Sequence, residues 1–424
     1  LEVVDRHGPC AQTDLKQPFT VPSLAQILVN DQLRVKSIQA RAVKPDPTDT
    51  NKELHESQNR NKSRDKYAKL PALLGTSNYI VTIGLGTPKR NLSLMFDTGS
   101  ELTWTQCLPC AHCYEKKDPI FKPSASSTYS KISCKSKQCS QLNYSTDTSC
   151  YRDATCLYDI KYGDGSYSIG FFSKDKLTIT PTNVFPDFLF GCARNNTVTF
   201  GNEDGLLGLS KSPISFVYQT AKMYGLHFSY CLPSDISSTG FLAFGKIHKT
   251  SKDVMFTPFV PDPPNILLYS IEIIAISIGG TRLPISGSVF KTAPTVIDSG
   301  TVITRLPPAA YNATSKEFKK QMKALNYKSA PADSYLDTCF HISGHTNITK
   351  VPTMSFTFKG NAKVDLDPAG IIWVDNSKVM CLAFAGNRDS KELTIFGHFE
   401  QRKLEVMYDV AGGKLGFRHN SHCQ

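Results

Sequence analysis

The arrangement of apolar and polar positions changes character once along the chain. Between Val21 and Val43 the residues Leu24, Ile27, Leu28, Leu33, Val35 and Ile38 recur near helical spacing, which predicts one amphipathic helix. Lys44 to Lys69 is rich in Pro, Asn and charge with almost no large apolar side chain, so it reads as a flexible, cleavable tether. From Asn78 onward the pattern becomes strand after strand. Tyr79–Ile83 alternates, Leu92–Phe96 is apolar and Lys176–Thr180 alternates again. The second half repeats the habit at Tyr269–Ile278, Thr295–Ile297, Thr353–Phe358, Leu393–Phe396 and Lys414–Phe417. Convincing helical patterns are confined to Ser212–Tyr224 and Pro308–Ala324. The expected body is mainly β, with short helices at its periphery.

An internal repeat sets the architecture. Leu94-Met-Phe-Asp-Thr-Gly-Ser100 is followed about a hundred residues on by Asp204-Gly-Leu-Leu-Gly-Leu209. Thr295-Val-Ile-Asp-Ser-Gly-Thr301 is followed at similar distance by Thr394-Ile-Phe-Gly397. Two copies of an apolar strand, an Asp-Thr/Ser-Gly turn and a distant apolar-apolar-Gly imply two lobes built from one ancestral unit. A length of 424 residues accommodates that plan with an extension. The expected division is an N-terminal segment and linker at 1–75, a first lobe at 76–262 and a second at 263–424. The lobe boundary lies near Val260–Asn265, a stretch rich in Pro and Asp.

The repeated element has a chemical logic. A buried strand delivers its Asp to a partly dehydrated position, and Gly99 and Gly300 allow the tight turn that follows. Backbone N–H groups of the turns, with Thr98, Ser100, Ser299 and Thr301 around them, can then hold each carboxylate in plane. Lobes related by a pseudo-two-fold axis would bring Asp97 and Asp298 together on that axis. Carboxylates about 3 Å apart share one proton, with one pKa lowered and the other raised. The ionised member can deprotonate a bridging water while the protonated one donates to the scissile carbonyl. Such chemistry needs no metal and no cofactor.

Composition narrows the setting. No run approaches the roughly 18 apolar residues of a membrane span. The net charge of +11 is spread without a block of like charge, residues 1–75 holding 12 Lys/Arg against 9 Asp/Glu, and reads as a basic surface. Seven of the 13 cysteines fall between Cys107 and Cys156, in a Ser-, Lys-, Pro- and Tyr-rich stretch unable to build a core. That points to a disulfide-stapled insert made in an oxidising compartment. Asn-x-Ser/Thr sequons at Asn61, Asn91, Asn143, Asn195, Asn312 and Asn347 favour the same route. The chain starts at Leu1 without a Met or apolar leader, so either a targeting segment was removed ahead of it or the chain was trimmed. Cys107, Cys110, His112 and Cys113 have zinc-ligand spacing, but the surrounding cysteines and sequons favour disulfides over a metal.

Taken together, the chain from Asn78 onward resembles the pepsin-like family of two-lobed aspartic proteases. Trp104 stands where that family places an aromatic that orients a flap tyrosine, and Tyr162 in Ile160-Lys-Tyr-Gly-Asp-Gly-Ser166 matches the flap itself. Gly163 and Asp164 would form its tip and help bind substrate. Within the family the chain is similar to the plant nepenthesin-type branch and to the nucleoid DNA-binding protease of chloroplasts. The resemblance implies six bridges: Cys107–Cys110, Cys113–Cys192, Cys134–Cys156, Cys139–Cys150, Cys231–Cys423 and Cys339–Cys381, with Cys10 left unpaired. His398 after Ile395-Phe-Gly397, and Glu101 after Ser100, depart from the family pattern without removing a catalytic group.

The implied activity is acid-acting peptide hydrolysis on protein or peptide substrates, with apolar or aromatic residues flanking the scissile bond. The chain would be a monomeric, secreted zymogen of the plant apoplast, with the vacuole or chloroplast as alternative compartments. The N-terminal segment is expected to block the cleft, a basic residue such as Arg6 or Lys36 lying against the dyad. Two other functions compete. An enzyme-shaped inhibitor of cell-wall-degrading enzymes would normally carry a damaged motif, and both motifs are intact. A DNA-associated protease would need a concentrated basic element, and residues 1–75 are too evenly mixed for one.

Overall fold

The computed structural model describes residues 2–5, 24–42 and most of 78–419, leaving out short internal stretches such as 246–252 and 343–349. The proposed tether, Cys10, Arg6 and the sequons at Asn61 and Asn347 therefore lie outside the described residues, as does Cys423. The chain is mainly β and two-lobed, as its sequence pattern predicts.

Each Asp-Thr/Ser-Gly motif sits at the end of a strand in the same local topology. In the first half, Arg90–Asp97 runs parallel to Gly205–Gly208, with Gly208 opposite Asp97. Trp104–Gln106 lies antiparallel on the other side of Gly205–Gly208 and parallel to Asn183–Asn196. In the second half, Thr295–Ile297 runs parallel to Thr394–Phe396, which in turn lies antiparallel to Thr304–Leu306. Thr304–Leu306 is parallel to Phe384–Gly386, completing the second copy. Strands buried on both faces read as continuous apolar runs, which is why these short segments lack alternation. The downstream glycines are there for contact: a Cβ on Gly208 would lie 2.6 Å from the Glu101 carbonyl oxygen, and one on Gly397 would lie 2.8 Å from that of Val302.

The lobes are not independent sheets. Leu404–Asp409 and Lys414–His419, from the end of the chain, join the fifteen-stranded sheet of the first half by pairing with His227–Cys231 and Met255–Pro258. Phe228 and Tyr408 stack there at 4.2 Å between ring centroids, tying the two halves through one core. The N-terminal segment is woven into the same sheet. Glu2–Asp5 forms a strand between Thr239–Phe244 and Tyr79–Leu85, a feature the sequence pattern did not predict.

The predicted amphipathic helix, α1 from here on, spans Leu24–Ala42. Ile27 and Leu28 pack into a cluster with Val302, Ile303 and Phe399, and Val35 and Ile38 into another with Val296, Leu393 and Ile395. Its apolar stripe is thus spent on the second half of the body. Pro308–Ala324 is one helix as expected, whereas Ser212–Tyr224 divides into Phe216–Gln219 and Ala221–Tyr224. The break falls at Thr220, whose hydroxyl bonds back to the Phe216 carbonyl at 2.8 Å.

The cysteine pairing differs from the expected set. The bridges are Cys107–Cys192, Cys110–Cys113, Cys134–Cys150, Cys139–Cys156 and Cys339–Cys381. Among the bridges between described residues, Cys339–Cys381 is the one that matches, its two residues being direct partners of an antiparallel pair. Cys107–Cys110, Cys113–Cys192, Cys134–Cys156 and Cys139–Cys150 are replaced because strand register decides the neighbours. Thr105 pairs with Cys192 and Gln106 with Ala193, which leaves Cys107 with its Cα 5.4 Å from that of Cys192. Cys110 and Cys113 then close a short surface loop on each other. Cys150 and Cys156 face one another across a hairpin, and each reaches outward, to Cys134 and Cys139 respectively. Cys231 is also disulfide-bonded, while its expected partner Cys423 lies outside the described residues.

Candidate active site

The two turns place their side chains in matching frames. Gly99 N–H donates to Asp97 Oδ1 at 2.8 Å, and Gly300 N–H to Asp298 Oδ1 at 3.0 Å. The Ser100 hydroxyl donates to Asp97 Oδ2, and the Thr301 hydroxyl to Asp298 Oδ2 at 2.5 Å. The turns also lock onto each other. Thr98 N–H donates to Ser299 Oγ at 3.0 Å, and Ser299 N–H to Thr98 Oγ1 at 2.9 Å. Every residue of the two predicted motifs therefore enters one buried, reciprocal network, and both Asp side chains are fully buried. Glycine is required at the turns because a Cβ on Gly99 would lie 2.7 Å from Asp298 Oδ1, and one on Gly300 would collide with Asp97 Oδ1.

A cation lies across the pair. Arg34 of α1 donates from Nη2 to Asp97 Oδ1 at 2.7 Å and to Asp298 Oδ2 at 2.9 Å, and from Nη1 to Asp97 Oδ2 at 3.0 Å. Its Nε reaches Asp298 Oδ2 at 3.2 Å. One planar guanidinium thus spans both carboxylates, a geometry an ammonium could not match. Burial alone would raise the Asp298 carboxyl, but Arg34, the Thr301 hydroxyl and the Gly300 N–H hold it below the usual carboxylate range. Burial likewise works against the charge on Arg34, and the two carboxylates overcome it. The basic residue against the two carboxylates is therefore Arg34, which was not among the expected candidates. Lys36 points away to an exposed position, and Arg6 lies outside the described residues.

A β-hairpin stands at the expected flap position. Cys156–Lys161 and Tyr167–Thr180 form the hairpin, closed by Tyr162 N–H to Ser166 O at 2.8 Å. Trp104 Nε1 donates to the Tyr162 hydroxyl at 2.7 Å, tying the flap base to the buried strand beneath the dyad. Gly163 and Asp164 lie outside the described residues. A small cavity between the flap and α1 is lined by Arg34, Arg41, Ser100, Glu101 and Tyr162.

Below the second turn the structure adds groups that the sequence reading did not assign. His398 Nδ1 lies 3.1 Å from Ser299 O, its ring meeting Tyr79 edge-on. Burial, with Arg402 and Arg34 nearby, pushes its pKa down to about 3. Glu400 is buried against Thr304, accepting from its N–H at 3.1 Å and its hydroxyl at 2.7 Å, and burial raises its pKa well above the usual carboxylate range. Thr304 Oγ1 also accepts from Gly397 N–H at 3.0 Å, as Thr103 Oγ1 accepts from Gly208 N–H at 3.2 Å in the first half. Asp31 and Arg34 had one readable signal. They fall on the apolar stripe of α1, between Leu28, Val35 and Ile38, where a charge needs a buried partner.

The other expected positions are dispersed. Asn91 and Asn312 are exposed, and Asn195 is half-buried with its side-chain oxygen accepting from the Tyr167 hydroxyl at 3.1 Å. Asn143 lies in a short 3-10 turn, and its side chain is not among the described residues. Cys107, Cys110 and Cys113, considered as zinc ligands with His112, are all consumed in disulfides. Among the described residues no helix is long and apolar enough to cross a membrane.

Comparison with known proteins places the chain in a family. Residues 79–246 match the family described as xylanase inhibitor N-terminal, and residues 268–419 that described as xylanase inhibitor C-terminal. An aspartyl protease family protein of Arabidopsis thaliana is 46% identical over 422 residues, covering 99% of this chain and 86% of the relative. Nepenthesin-2 of Nepenthes gracilis, an aspartic proteinase, is 33% identical over 82% of this chain and 78% of its own length. Among solved structures, basic 7S globulin from soybean superposes with a TM-score of 0.64 at 21% identity, over 81% of this chain and 92% of that one. On the strength of the sequence relatives and of two matched, interlocked Asp turns, the chain belongs to the pepsin-like aspartyl proteases, in the plant branch that includes the nepenthesins.

Proposed function

We propose that the chain is an acid-acting aspartic endopeptidase held in a latent form by α1. The observation that carries this reading is Arg34 bridging Asp97 and Asp298 inside a complete hydrogen-bonded frame. With Arg34 withdrawn, two carboxylates in reciprocal turns share a proton. The ionised one takes a proton from water as that water attacks the peptide carbonyl, and the protonated one donates to the carbonyl oxygen. The amide then breaks as its nitrogen is protonated. Tyr162, fixed by Trp104, covers the bound peptide and excludes bulk water.

The direction of pH control follows from linkage. With α1 docked, Asp298 is held below its usual range, and without Arg34 its pKa rises. The undocked state therefore binds more protons, so falling pH favours release by up to about tenfold per unit per proton. The sign is that of an acid-activated zymogen, α1 leaving the cleft as the pH falls and cleavage in the 43–77 segment following. Exposed sequons at Asn91 and Asn312 and the disulfides of the insert support a glycosylated, secreted protein of the plant extracellular space.

The test is cleavage of a denatured protein by acid-treated full-length chain between about pH 3 and pH 5, with and without pepstatin, against Asp97→Asn. Pepstatin-sensitive turnover abolished by the substitution is expected. The matched families' description as xylanase inhibitors favours a second reading, an inhibitor of that fold. No turnover at any pH, together with inhibition of a xylanase, would establish that reading instead.

A further inference from the structure

The second charge that α1 brings into the cleft is a carboxylate, and it has a built receptor. Asp31 is fully buried. Its Oδ1 accepts from Val302 N–H at 2.6 Å and its Oδ2 from Arg305 Nη2 at 2.6 Å. Arg305 is 2% exposed, its Nη1 donates to Gln32 Oε1 at 2.8 Å, and its Nε has no hydrogen-bond partner. The hydrogen bonds of this guanidinium thus both go to α1. Two acids of the body line the same cavity as Arg305, and both are engaged: Asp337 by the Tyr311 hydroxyl and by Thr338 Oγ1 at 2.8 Å, and Glu392 by the Arg388 N–H at 2.9 Å.

The receptor itself is rigid and belongs to the body. Val302 follows Thr301 directly, and Arg305 sits in the strand Thr304–Leu306, paired on both sides by Phe384–Gly386 and Thr394–Phe396. That cavity, of about 330 Å³, opens beside it, between Gln32, Val35 and Gln39 of α1 and Arg305, Tyr311 and Arg388 of the body. When α1 leaves, a guanidinium and a backbone N–H remain aimed at one carboxylate position next to Asp298. With α1 gone that guanidinium loses Asp31 as its counter-charge, and a ligand carboxylate can take the same two hydrogen bonds in its place.

We propose that Arg305 and the Val302 N–H form a substrate subsite for an acidic side chain, which Asp31 fills in the latent form. This rests on the endopeptidase reading above. Asp31 and Arg34 are three residues apart on a helix, about 4.5 Å along its axis, and an extended peptide advances about 3.3 Å per residue. The preferred acid therefore lies within about three residues of the scissile bond. Arg305 is a specificity-determining residue on this account, with no part in the bond-breaking step.

The experiment uses acid-activated full-length chain, with Asp97→Asn as the blank. A peptide library is digested at about pH 5, where Asp and Glu side chains are ionised, and cleavage sites are read by mass spectrometry. Peptides carrying Asp or Glu at the favoured position are then compared with their Asn or Gln counterparts by kcat/KM. Acid enrichment at one position is expected, with an acid-to-amide ratio of about ten to a hundred. That ratio should collapse towards one in Arg305→Gln and be partly kept in Arg305→Lys. A ratio cancels any general loss of activity in the variants, and the wild-type peptide pairs stand even if a variant does not fold. Cleavage with no acidic preference, or a preference unchanged in Arg305→Gln, overturns this subsite alone. No cleavage of any peptide beyond the blank overturns it together with the endopeptidase reading.

Discussion

Replacing Arg34 with Met tests the latch directly. Met keeps an unbranched stem of similar length, so the helix loses charge and hydrogen bonds with little loss of volume. Arg34 donates to all four oxygens of Asp97 and Asp298 from a largely buried position, its side chain 15% exposed. Removing one partner of a buried ion pair costs about 3–5 kcal/mol. Here the two carboxylates recover part of that by sharing a proton, so the loss to docking is set at the lower end, about 3 kcal/mol. This is about 150-fold in the docking equilibrium. The remaining anchors, the Asp31–Arg305 pair and the burial of Ile27, Leu28, Val35 and Ile38, still favour the docked helix. The assay is the initial rate of quenched-peptide cleavage by intact chain from about pH 3 to pH 7, before any processing, alongside a chain starting near Thr76. Arg34→Met should raise the rate of intact chain at about pH 6 by roughly two orders of magnitude and move the activation midpoint upward. Arg34→Lys, a point charge able to serve one carboxylate at a time, should fall between. If Arg34→Met stays as silent as the parent and activates at the same pH, while the shortened chain cleaves, Arg34 is not the latch.

Three further outcomes are expected. Tyr162→Phe removes the acceptor of the Trp104 indole N–H and should lower kcat/KM by about five- to thirtyfold, from a lost hydrogen bond of ~1–2 kcal/mol, while urea unfolding barely changes; equal kinetics would detach the flap from this contact. His398 has a folded pKa pushed down from 6.5 to about 3, so below about pH 6.5 the unfolded chain binds a proton that the folded one refuses. Stability should fall by up to ~1.4 kcal/mol per pH unit down to about pH 3, and His398→Asn should flatten that slope in urea titrations; an unchanged slope would refute it. Non-reducing peptide mapping should recover Cys107 linked to Cys192 and Cys110 to Cys113, and a Cys113–Cys192 peptide would contradict the register of Trp104–Gln106 against Asn183–Asn196.

The Asp turns were legible because their signals are local and doubled. An apolar strand, a polar turn with Gly, and a distant apolar-apolar-Gly appear twice, and each copy became the same parallel pairing at Asp97 and Asp298. Pro308–Ala324 and α1 were legible for a similar reason, since helical spacing is carried within a few residues. What depended on distant register was not. Cysteine spacing says nothing of which strand lies beside Cys192, so the insert was mispaired at four bridges. Glu2–Asp5 is only four residues long, too short for a period, and its partners come from residues more than seventy positions away. Arg34 was hidden by choice, because a stretch with several cations does not declare which one faces a site in another part of the chain. Its position on the buried stripe, one turn after Asp31, was the usable hint.

The strand Glu2–Asp5 bears on how permanent activation is. Its backbone is paired on both sides, to Thr239–Phe244 and to Tyr79–Leu85, so a single nick anywhere in 43–77 severs the chain without detaching α1 from the body. The helix remains leashed to its own docking site, at an effective concentration that for short tethers reaches the millimolar range. Return to neutral pH would let it settle back over the carboxylates. Nicked enzyme would therefore be a reversible, two-chain switch. Irreversible commitment would come only when the sheet itself gives up its N-terminal strand.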